Sequence, residues 1–272
     1  MPIIDDNVPR DNALGQFPWY DAWWLTRFVL AKQYIARHAP GQLDAFVKAM
    51  APLRTRPDFQ AQLLDRPFNS EQLSTIRAAV ETIRPAMLEA HELTRHGRFV
   101  VHDHPMLVEL HAAMAPLVSG LVGESVEPLY SFIALYNANG ECPVHLDAPV
   151  SKWTLDLCIR QSETWPIAFS EVVTWPEDLD MEWEHWEDRI RLHSGHRFSS
   201  ISMEPGQAVV FSGSSQWHYR ERFRNTDARD AHCDLLFMHF ITAGMKEISE
   251  WTHWERLFCV PGLSDAIRHV RD

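Results

Sequence analysis

The stretch from 129 to 241 constrains the fold most, because it consists of short β-type runs with no helical segment between them. Seven runs rich in β-branched and aromatic residues, separated by Pro, Gly and Asn, cover 129–136, 153–159, 165–173, 198–203, 207–212, 217–223 and 233–241. The pattern predicts a double sheet of the sandwich or jelly-roll type, whose open end can hold a small ligand.

Helical periodicity dominates the sequence before Gly123. Apolar and aromatic residues recur at helical spacing in 19–36 and 106–121, and Asn69 with Gln72 forms a capping-box pattern ahead of a further helix. No repeat, low-complexity tract or obvious linker separates this part from the β-rich part. We therefore predict an α+β protein with a mainly β core and N-terminal helices packed on one sheet.

The same periodicities predict three regions within one structural unit. Residues 1–124 form a helical region that buttresses the core, residues 125–245 form the β core, and residues 246–272 form a C-terminal helical extension.

The charge balance excludes one class of partner. Asp and Glu outnumber Lys and Arg by 37 to 25, which gives a formal net charge of −12 with no basic stripe to offset it. A phosphate backbone would be repelled, so nucleic acid is not expected as a partner.

The chain starts without a basic segment and apolar run, and no stretch approaches the roughly 18 apolar residues of a membrane span. The sequence predicts a cytoplasmic protein without a membrane partner.

A metal-ligand pattern follows the first β-rich run. His145 and Asp147 form an H-x-D motif after a Gly- and Pro-containing turn, and residues two apart in an extended chain project to the same side. A third ligand must come from a distant strand. His218 is the candidate, because it follows a turn and the apolar run 207–212.

Two imidazoles and one carboxylate on one octahedral face leave three coordination positions open. This arrangement lets iron(II) hold a chelating co-substrate and then dioxygen. The single carboxylate also leaves the site net positive, which suits a dianionic keto acid. The competing interpretation of His145, Asp147 and His218 is a set of satisfied surface polar groups, since the chain has 15 histidines.

Residues 129–241 resemble the double-stranded β-helix core, a jelly-roll or cupin-like fold, of iron(II)/2-oxoglutarate dioxygenases. The resemblance rests on H-x-D at 145–147, the strand-like run 153–159, Trp-Pro-Ile at 165–167, and His-Tyr-Arg-Glu after a glycine turn at 218–221. It covers under half of the chain. It implies that His145, Asp147 and His218 are iron ligands and catalytic residues. In halogenase variants a small residue replaces the carboxylate, so Asp147 favours hydroxylation.

The co-substrate arginine is less clearly marked than the metal ligands. Family members usually anchor the distal carboxylate of 2-oxoglutarate on an Arg or Lys of the strand after the distal histidine, and the run 233–240 contains neither. Arg229 lies 11 residues after His218, a spacing that many members use, and is our first choice. Arg220 and Arg222 share strand parity with His218, so either could form the bidentate pair that a carboxylate prefers. A charged rim of the barrel is the alternative for both.

Tyr136 precedes the H-x-D motif at a spacing where related enzymes place a hydroxyl against the co-substrate. A buried core tyrosine is equally compatible with this position.

The resemblance implies an iron(II)/2-oxoglutarate-dependent oxygenase. Such an enzyme hydroxylates or otherwise oxidises a small molecule with dioxygen and converts 2-oxoglutarate to succinate and CO2. Two alternatives stay open on the sequence alone. One is a cupin-like metalloenzyme that uses the same triad without 2-oxoglutarate, and the other is a non-catalytic jelly-roll binding protein.

The acidic, Trp-rich run 175–188 does not alternate between apolar and polar residues. It predicts a mobile cover over the site, with Trp175, Trp183 and Trp186 as candidate walls for an apolar ligand. Six further histidines that stand in or beside possible ligand patterns are expected to be structural. They are His102, His104, His193, His196, His232 and His239.

Overall fold

The structure of the chain, a computed structural model, describes residues 16–179, 184–193, 195–223 and 231–271. Its strands are β1 (Gln62–Leu64), β2 (Arg98–His102), β3 (Val126–Tyr136), β4 (Cys142–His145), β5 (Trp153–Gln161), β6 (Ile167–Val172), β7 (Phe198–Ile201), β8 (Ala208–Phe211), β9 (Gln216–Arg220) and β10 (Cys233–Thr242). Its helices are α1 (Trp23–His38), α2 (Leu43–Met50), α3 (Ser70–Glu81), α4 (Leu93–His96), α5 (Val108–Val122), α6 (Trp186–Asp188), α7 (Lys246–Ser249), α8 (Trp254–Phe258) and α9 (Leu263–Ile267).

The strands form two antiparallel sheets. One has six strands in the order β1-β8-β5-β10-β3-β2, and the other has four in the order β4-β9-β6-β7. Neighbouring strands pair antiparallel throughout both sheets. The predicted combination of helices with a β-sheet core is confirmed.

The two sheets pack face to face around a buried aromatic and aliphatic core. Phe169 of β6 contacts Phe211 of β8 with ring centroids 4.8 Å apart, which joins the inner faces directly. Near the other end, Tyr136 of β3 meets Trp165 in an edge contact at 4.8 Å. Such pairs contribute about 0.5 to 1.5 kcal/mol each beyond the area that they bury.

Helices cover the outer faces of both sheets, whereas the sequence predicted packing on one sheet. Helices α3 and α5 pack on the six-stranded sheet, where Met114 and Val118 of α5 meet the sheet's apolar outer residues. Helix α1 instead packs with Trp254 of α8 and with Val144 and Trp217, on the outer face of the four-stranded sheet. Both sheets carry outward apolar residues, and each set needs its own cover.

The capping box predicted ahead of α3 is confirmed. The Asn69 side chain accepts a hydrogen bond from the Gln72 amide at 2.9 Å, and the Gln72 side chain accepts one from the Asn69 amide at 2.8 Å. Two amide donors that have no partner inside the helix are thereby satisfied.

Two strands arise in the region that the sequence predicted to be helical. The short strand β1 pairs with β8, and β2 pairs with β3 so that Arg98 lies opposite Tyr136. Strand β2 follows Gly97, which has φ +65° and ends α4. Five residues are too few to show a clear alternation in the sequence. The formation of β2 therefore depends on its pairing with β3.

The segment Pro105–Val122 meets the length and composition criteria for crossing a membrane, with a mean hydropathy of 1.4. This differs from the sequence expectation. One side of it, including Leu110, Met114 and Val118, packs on the six-stranded sheet.

Candidate metal centre

Pairing between β4 and β9 brings the two candidate histidines together. His145 ends β4 and lies directly opposite His218 on β9. Asp147 follows two residues later, and its amide donates to the Gly213 carbonyl at 2.9 Å. The glycine turn before β9 therefore holds the H-x-D segment in place.

The three side chains meet at a single point. Their candidate ligand atoms all lie within 4.8 Å of one another. The Oδ1 atom of Asp147 is 3.4 Å from Nε2 of His145 and 3.6 Å from Nε2 of His218. Within the described residues, this is the one group of three or more His, Cys, Asp or Glu side chains found at such distances. The geometry suits a metal bound by two nitrogens and one oxygen.

Backbone carbonyls fix the orientation of both imidazoles. Nδ1 of His145 donates to the Pro143 carbonyl at 2.8 Å, and Nδ1 of His218 donates to the Gln216 carbonyl at 2.9 Å. A carbonyl can only accept, so each Nδ1 carries a proton and each Nε2 is left facing Asp147. Metal-binding histidines are typically oriented in this way.

Hydrogen-bonded side chains of the six-stranded sheet support Asp147. The Thr154 hydroxyl donates to Oδ2 of Asp147 at 3.4 Å and lies 3.1 Å from Nδ1 of His239. His239 is held in turn by its carbonyl, which accepts from Nε2 of His111 at 3.0 Å. Such outer contacts orient a carboxylate ligand before any metal arrives.

Gly213 leaves room for the carboxylate. A Cβ atom at this position would lie 1.9 Å from Oδ2 of Asp147. Position 213 therefore excludes a side chain through space rather than through backbone conformation.

The triad is electrostatically coupled. Burial favours the neutral form of Asp147, but His218 and His145 outweigh burial and hold its pKa well below the usual range. Burial and the neighbouring His145 lower the pKa of His218 to about 4. Burial also acts to lower the pKa of His145, but Cys142 and Asp147 more than offset it and raise that pKa. A metal that binds here would release the proton held on His145.

The triad opens onto a cavity of about 200 Å³ between the sheets. Its walls combine aromatic rings with buried charged groups. They include Tyr20, Asp21, Arg98, Tyr130, Tyr136, Phe237 and His239.

Two buried arginines face this cavity from opposite sheets. Arg98 of β2 forms an ion pair with Glu92 and donates from Nη1 to the Tyr136 hydroxyl at 2.5 Å. Arg220 of β9 donates from Nη2 to Oδ2 of Asp156 at 2.7 Å. Both arginines are under 10% exposed. Together with the Tyr136 hydroxyl they form a donor-rich patch in the same cavity as the triad.

The arginines predicted from the sequence have different positions in the structure. Arg220 and Tyr136 line the cavity, whereas Arg222 is exposed and donates to Oδ1 of Asn139 at 3.3 Å. Strand β9 ends at Arg220, so the parity argument no longer applies two residues later. Arg229 lies outside the described residues.

Sequence reasoning missed Arg98. The residue lies in the region predicted to be helical, and the only signal was a five-residue run in which Arg98, Val100 and His102 alternate with apolar residues. All three line the cavity.

The run 175–188, predicted to be a mobile cover, begins with a residue of the buried core. Trp175 is 2% exposed, packs between Trp24 and Phe28, and donates from Nε1 to the Ser214 carbonyl at 3.1 Å. Trp186 starts α6 and packs toward Trp19 with ring centroids 6.3 Å apart. Neither tryptophan lines the cavity, so the prediction that they wall a ligand is wrong. Trp183 lies outside the described residues.

The discounted histidines divide into two groups. His104 accepts a hydrogen bond from the Met106 amide at 3.4 Å at a helical turn, and His196 pairs with Glu171. These are the expected structural roles. His102 and His239 do line the cavity, which the sequence did not predict.

Solved structures share the fold of this chain. AviO1 from Streptomyces viridochromogenes Tue57 has a TM-score of 0.50 at 15% identity, covering 73% of this chain and 95% of that one. The epimerase SnoN, solved with Fe3+, alpha ketoglutarate and nogalamycin RO, has a TM-score of 0.51 at 11% identity, covering 74% of this chain and 84% of that one. A 2OG-Fe(II) oxygenase family oxidoreductase from Burkholderia pseudomallei has a TM-score of 0.47 at 12% identity, covering 72% and 89%.

No protein-family description matches the sequence, and no curated protein is significantly similar to it. At these identities the likeness to AviO1 and SnoN demonstrates a common fold. The resemblance predicted from the H-x-D motif is therefore confirmed at the level of the fold.

Proposed function

We propose that the protein is an iron(II)- and 2-oxoglutarate-dependent oxygenase that hydroxylates or otherwise oxidises a small molecule. The observation that carries the proposal is the buried triad of His145, Asp147 and His218, in which both Nε2 atoms converge with a carboxylate oxygen. The fold shared with SnoN, whose solved complex contains Fe3+ and alpha ketoglutarate, supports it. We further propose that the two sheets form a double-stranded β-helix.

The donor set fits iron(II). Two imidazole nitrogens and one carboxylate oxygen bind one face of an octahedral ion and leave three positions for a chelating keto acid and dioxygen. The carboxylate at Asp147 fills the position that a halide would need, so the site favours hydroxylation over halogenation. The Thr154 hydroxyl and the space at Gly213 hold that carboxylate in its ligating orientation.

When bound, iron and 2-oxoglutarate supply the oxidising chemistry, which couples activation of dioxygen to release of succinate and CO2. The chain itself positions and encloses these groups. His145, Asp147 and His218 hold the metal, and the aromatic rings of the cavity exclude water around it.

The donor-rich patch of Arg98, Arg220 and Tyr136 is suited to the distal carboxylate of 2-oxoglutarate. Arg220 lies two residues after His218 on β9, so its side chain projects to the same face as the metal ligand. Guanidinium groups match the bidentate geometry of a carboxylate. Arg229, the first choice from the sequence, remains a candidate because it lies outside the described residues.

Binding and consumption of 2-oxoglutarate test the proposal. The protein is loaded with iron(II) without oxygen, 2-oxoglutarate binding is measured by calorimetry, and oxygen and succinate are then followed after air is admitted. We expect metal-dependent binding and slow succinate formation even without a primary substrate. His218→Ala should abolish both. An iron-loaded protein that neither binds nor consumes 2-oxoglutarate would disprove the proposal.

A further inference from the structure

The carboxylate of Asp21 faces the cavity from the segment just before α1. It lies beside the metal triad, because Oδ2 accepts a hydrogen bond from the Ala148 amide at 2.8 Å, one residue after Asp147. Oδ1 accepts from Nε1 of Trp23 at 2.6 Å. Both donors are neutral, so they satisfy hydrogen-bonding capacity without compensating the negative charge.

Asp21 is the acid of this cavity that forms no ion pair within the described residues, and only the nearby His145 offsets part of its charge. Glu92 is paired with Arg98, and Asp156 behind the cavity wall is paired with Arg220. Asp147 belongs to the metal triad. A carboxylate in the wall of this cavity without an ion-pair partner is energetically costly. A cation that reached it would therefore be bound favourably.

The backbone at Asp21 adds an independent observation. Its φ is +65°, in the left-handed region that non-glycine residues adopt only uncommonly. Aspartate tolerates this region better than most residues. Conformations of this kind persist where surrounding contacts hold them and they cluster at ligand sites.

Aromatic rings beside Asp21 suit a cation rather than an anion. Tyr20 precedes it and places its ring 6.4 Å from that of His145, and Tyr130 lines the same cavity. The Tyr130 ring stacks on His239 with centroids 4.5 Å apart, and its hydroxyl lies 3.0 Å from that of Ser151. An ammonium group near such ring faces is stabilised electrostatically, most strongly where water is excluded.

We propose that Asp21 binds a protonated amine of the primary substrate, so that the oxidised small molecule is an alkylamine whose ammonium group sits between Asp21 and the rings of Tyr20 and Tyr130. The assignment of the oxidised molecule rests on the proposed function, whereas the ammonium site rests on the contacts of Asp21. The proposed ammonium site also fits the net charge of the filled cavity. An anionic co-substrate beside the carboxylates of Asp147 and Asp21 would leave the cavity in need of a cation.

Benzylamine and benzyl alcohol test the site, because they have nearly the same shape and differ in charge at neutral pH. Dissociation constants of both are measured by calorimetry on oxygen-free protein loaded with iron(II) and 2-oxoglutarate. We expect benzylamine to bind about ten- to a hundred-fold more tightly, the range of a charge-assisted hydrogen bond. Asp21→Asn should reduce this preference to about one.

Asp58→Asn is the matched control, since Asp58 is exposed and the same charge is removed. The control should keep the full preference. Equal affinity of the two probes for the wild-type protein would overturn the proposal, and so would a preference that persists in Asp21→Asn. If Asp21→Asn lowers metal affinity and leaves the preference intact, Asp21 positions the 145–148 segment and binds no substrate.

Equal affinity of the two probes for the wild-type protein overturns the proposal even if Asp21→Asn fails to fold. Repeating the benzylamine and benzyl alcohol comparison on protein that holds manganese(II) and no 2-oxoglutarate separates this proposal from the proposed function. Failure of 2-oxoglutarate to bind would remove the oxygenase assignment, while a benzylamine preference that survives would retain the ammonium site.

Discussion

His145 and His218 lie directly opposite each other on paired antiparallel strands, with ring centroids 4.2 Å apart. Their Nδ1 protons are both donated to carbonyls two residues earlier in the chain. The β4–β9 pairing therefore sets the spacing of the two nitrogen ligands before a metal is present.

Replacing His218 with Ala should weaken iron(II) binding by about a hundred-fold or more, because the loss of a ligand exceeds the ten- to hundred-fold effect of outer contacts. The fold should persist, since the ring lines a cavity and does not fill the core. Calorimetric metal titration with circular dichroism checks both points. His102→Ala, which removes a histidine from the rim of the cavity, should bind iron(II) as the wild type does.

Gly213→Ala should impair the metal site by displacing Asp147. The added Cβ would meet Oδ2 at 1.9 Å, so the carboxylate must rotate away from the position it shares with the histidines. We expect roughly a ten- to hundred-fold loss of iron(II) affinity. Gly41→Ala is the control, because nothing lies within 4 Å of its added Cβ. Unchanged affinity in Gly213→Ala would show that the Asp147 orientation is not needed for binding.

Arg98→Met and Arg220→Met should each weaken 2-oxoglutarate binding by about ten- to a hundred-fold, the cost of one charge-assisted contact. Both remove a cation from the donor-rich patch and retain an unbranched apolar stem. Arg222→Met, on the exposed side, is the matched control. If only Arg229→Ala weakens binding, the distal carboxylate lies at Arg229 and the patch serves another ligand.

Stability should fall in acid because of two buried groups next to the cavity. Burial alone would raise the pKa of Glu92, but Arg98 and Tyr20 outweigh it and lower the pKa to about 2. Burial and Arg98 lower the pKa of His96 to about 3. In both cases the unfolded chain binds more protons, so stability is complete above about pH 6.5 and falls as pH decreases.

The His96 contribution should be lost between about pH 6.5 and 3, and the Glu92 contribution between about pH 4.5 and 2. Each adds up to about 1.4 kcal/mol per pH unit within its window. Urea unfolding at several pH values measures the slope. His96→Leu should flatten the upper window and Glu92→Gln the lower one, whereas exposed Glu81→Gln should change neither.

The sequence could identify the three residues of the triad as neighbours because their signal is local. An H-x-D motif at a strand end fixes two ligands through strand geometry alone, and the run 207–212 led directly to His218. The strand bounds were also close, since Trp153 and Cys233 begin β5 and β10 as predicted.

The second cation of the cavity could not be predicted, since its position depends on pairing at long range. Arg98 reaches the site only because β2 adds to the edge of β3, and five residues cannot specify such pairing by themselves. The prediction for Trp175 was wrong for a related reason. Its neighbours Trp24 and Phe28 are distant in sequence, so the sequence could not show that Trp175 belongs to the core.

The pairing of β2 with β3 has a consequence for how this chain can be divided. A fragment beginning at residue 125 would keep His145, Asp147 and His218, yet it would lack Arg98, Glu92 and Asp21. Such a fragment carries every metal ligand and still has an incomplete pocket. The candidate metal centre lies in the second half of the chain, whereas the first half supplies part of the cavity wall, including Arg98, Glu92 and Asp21.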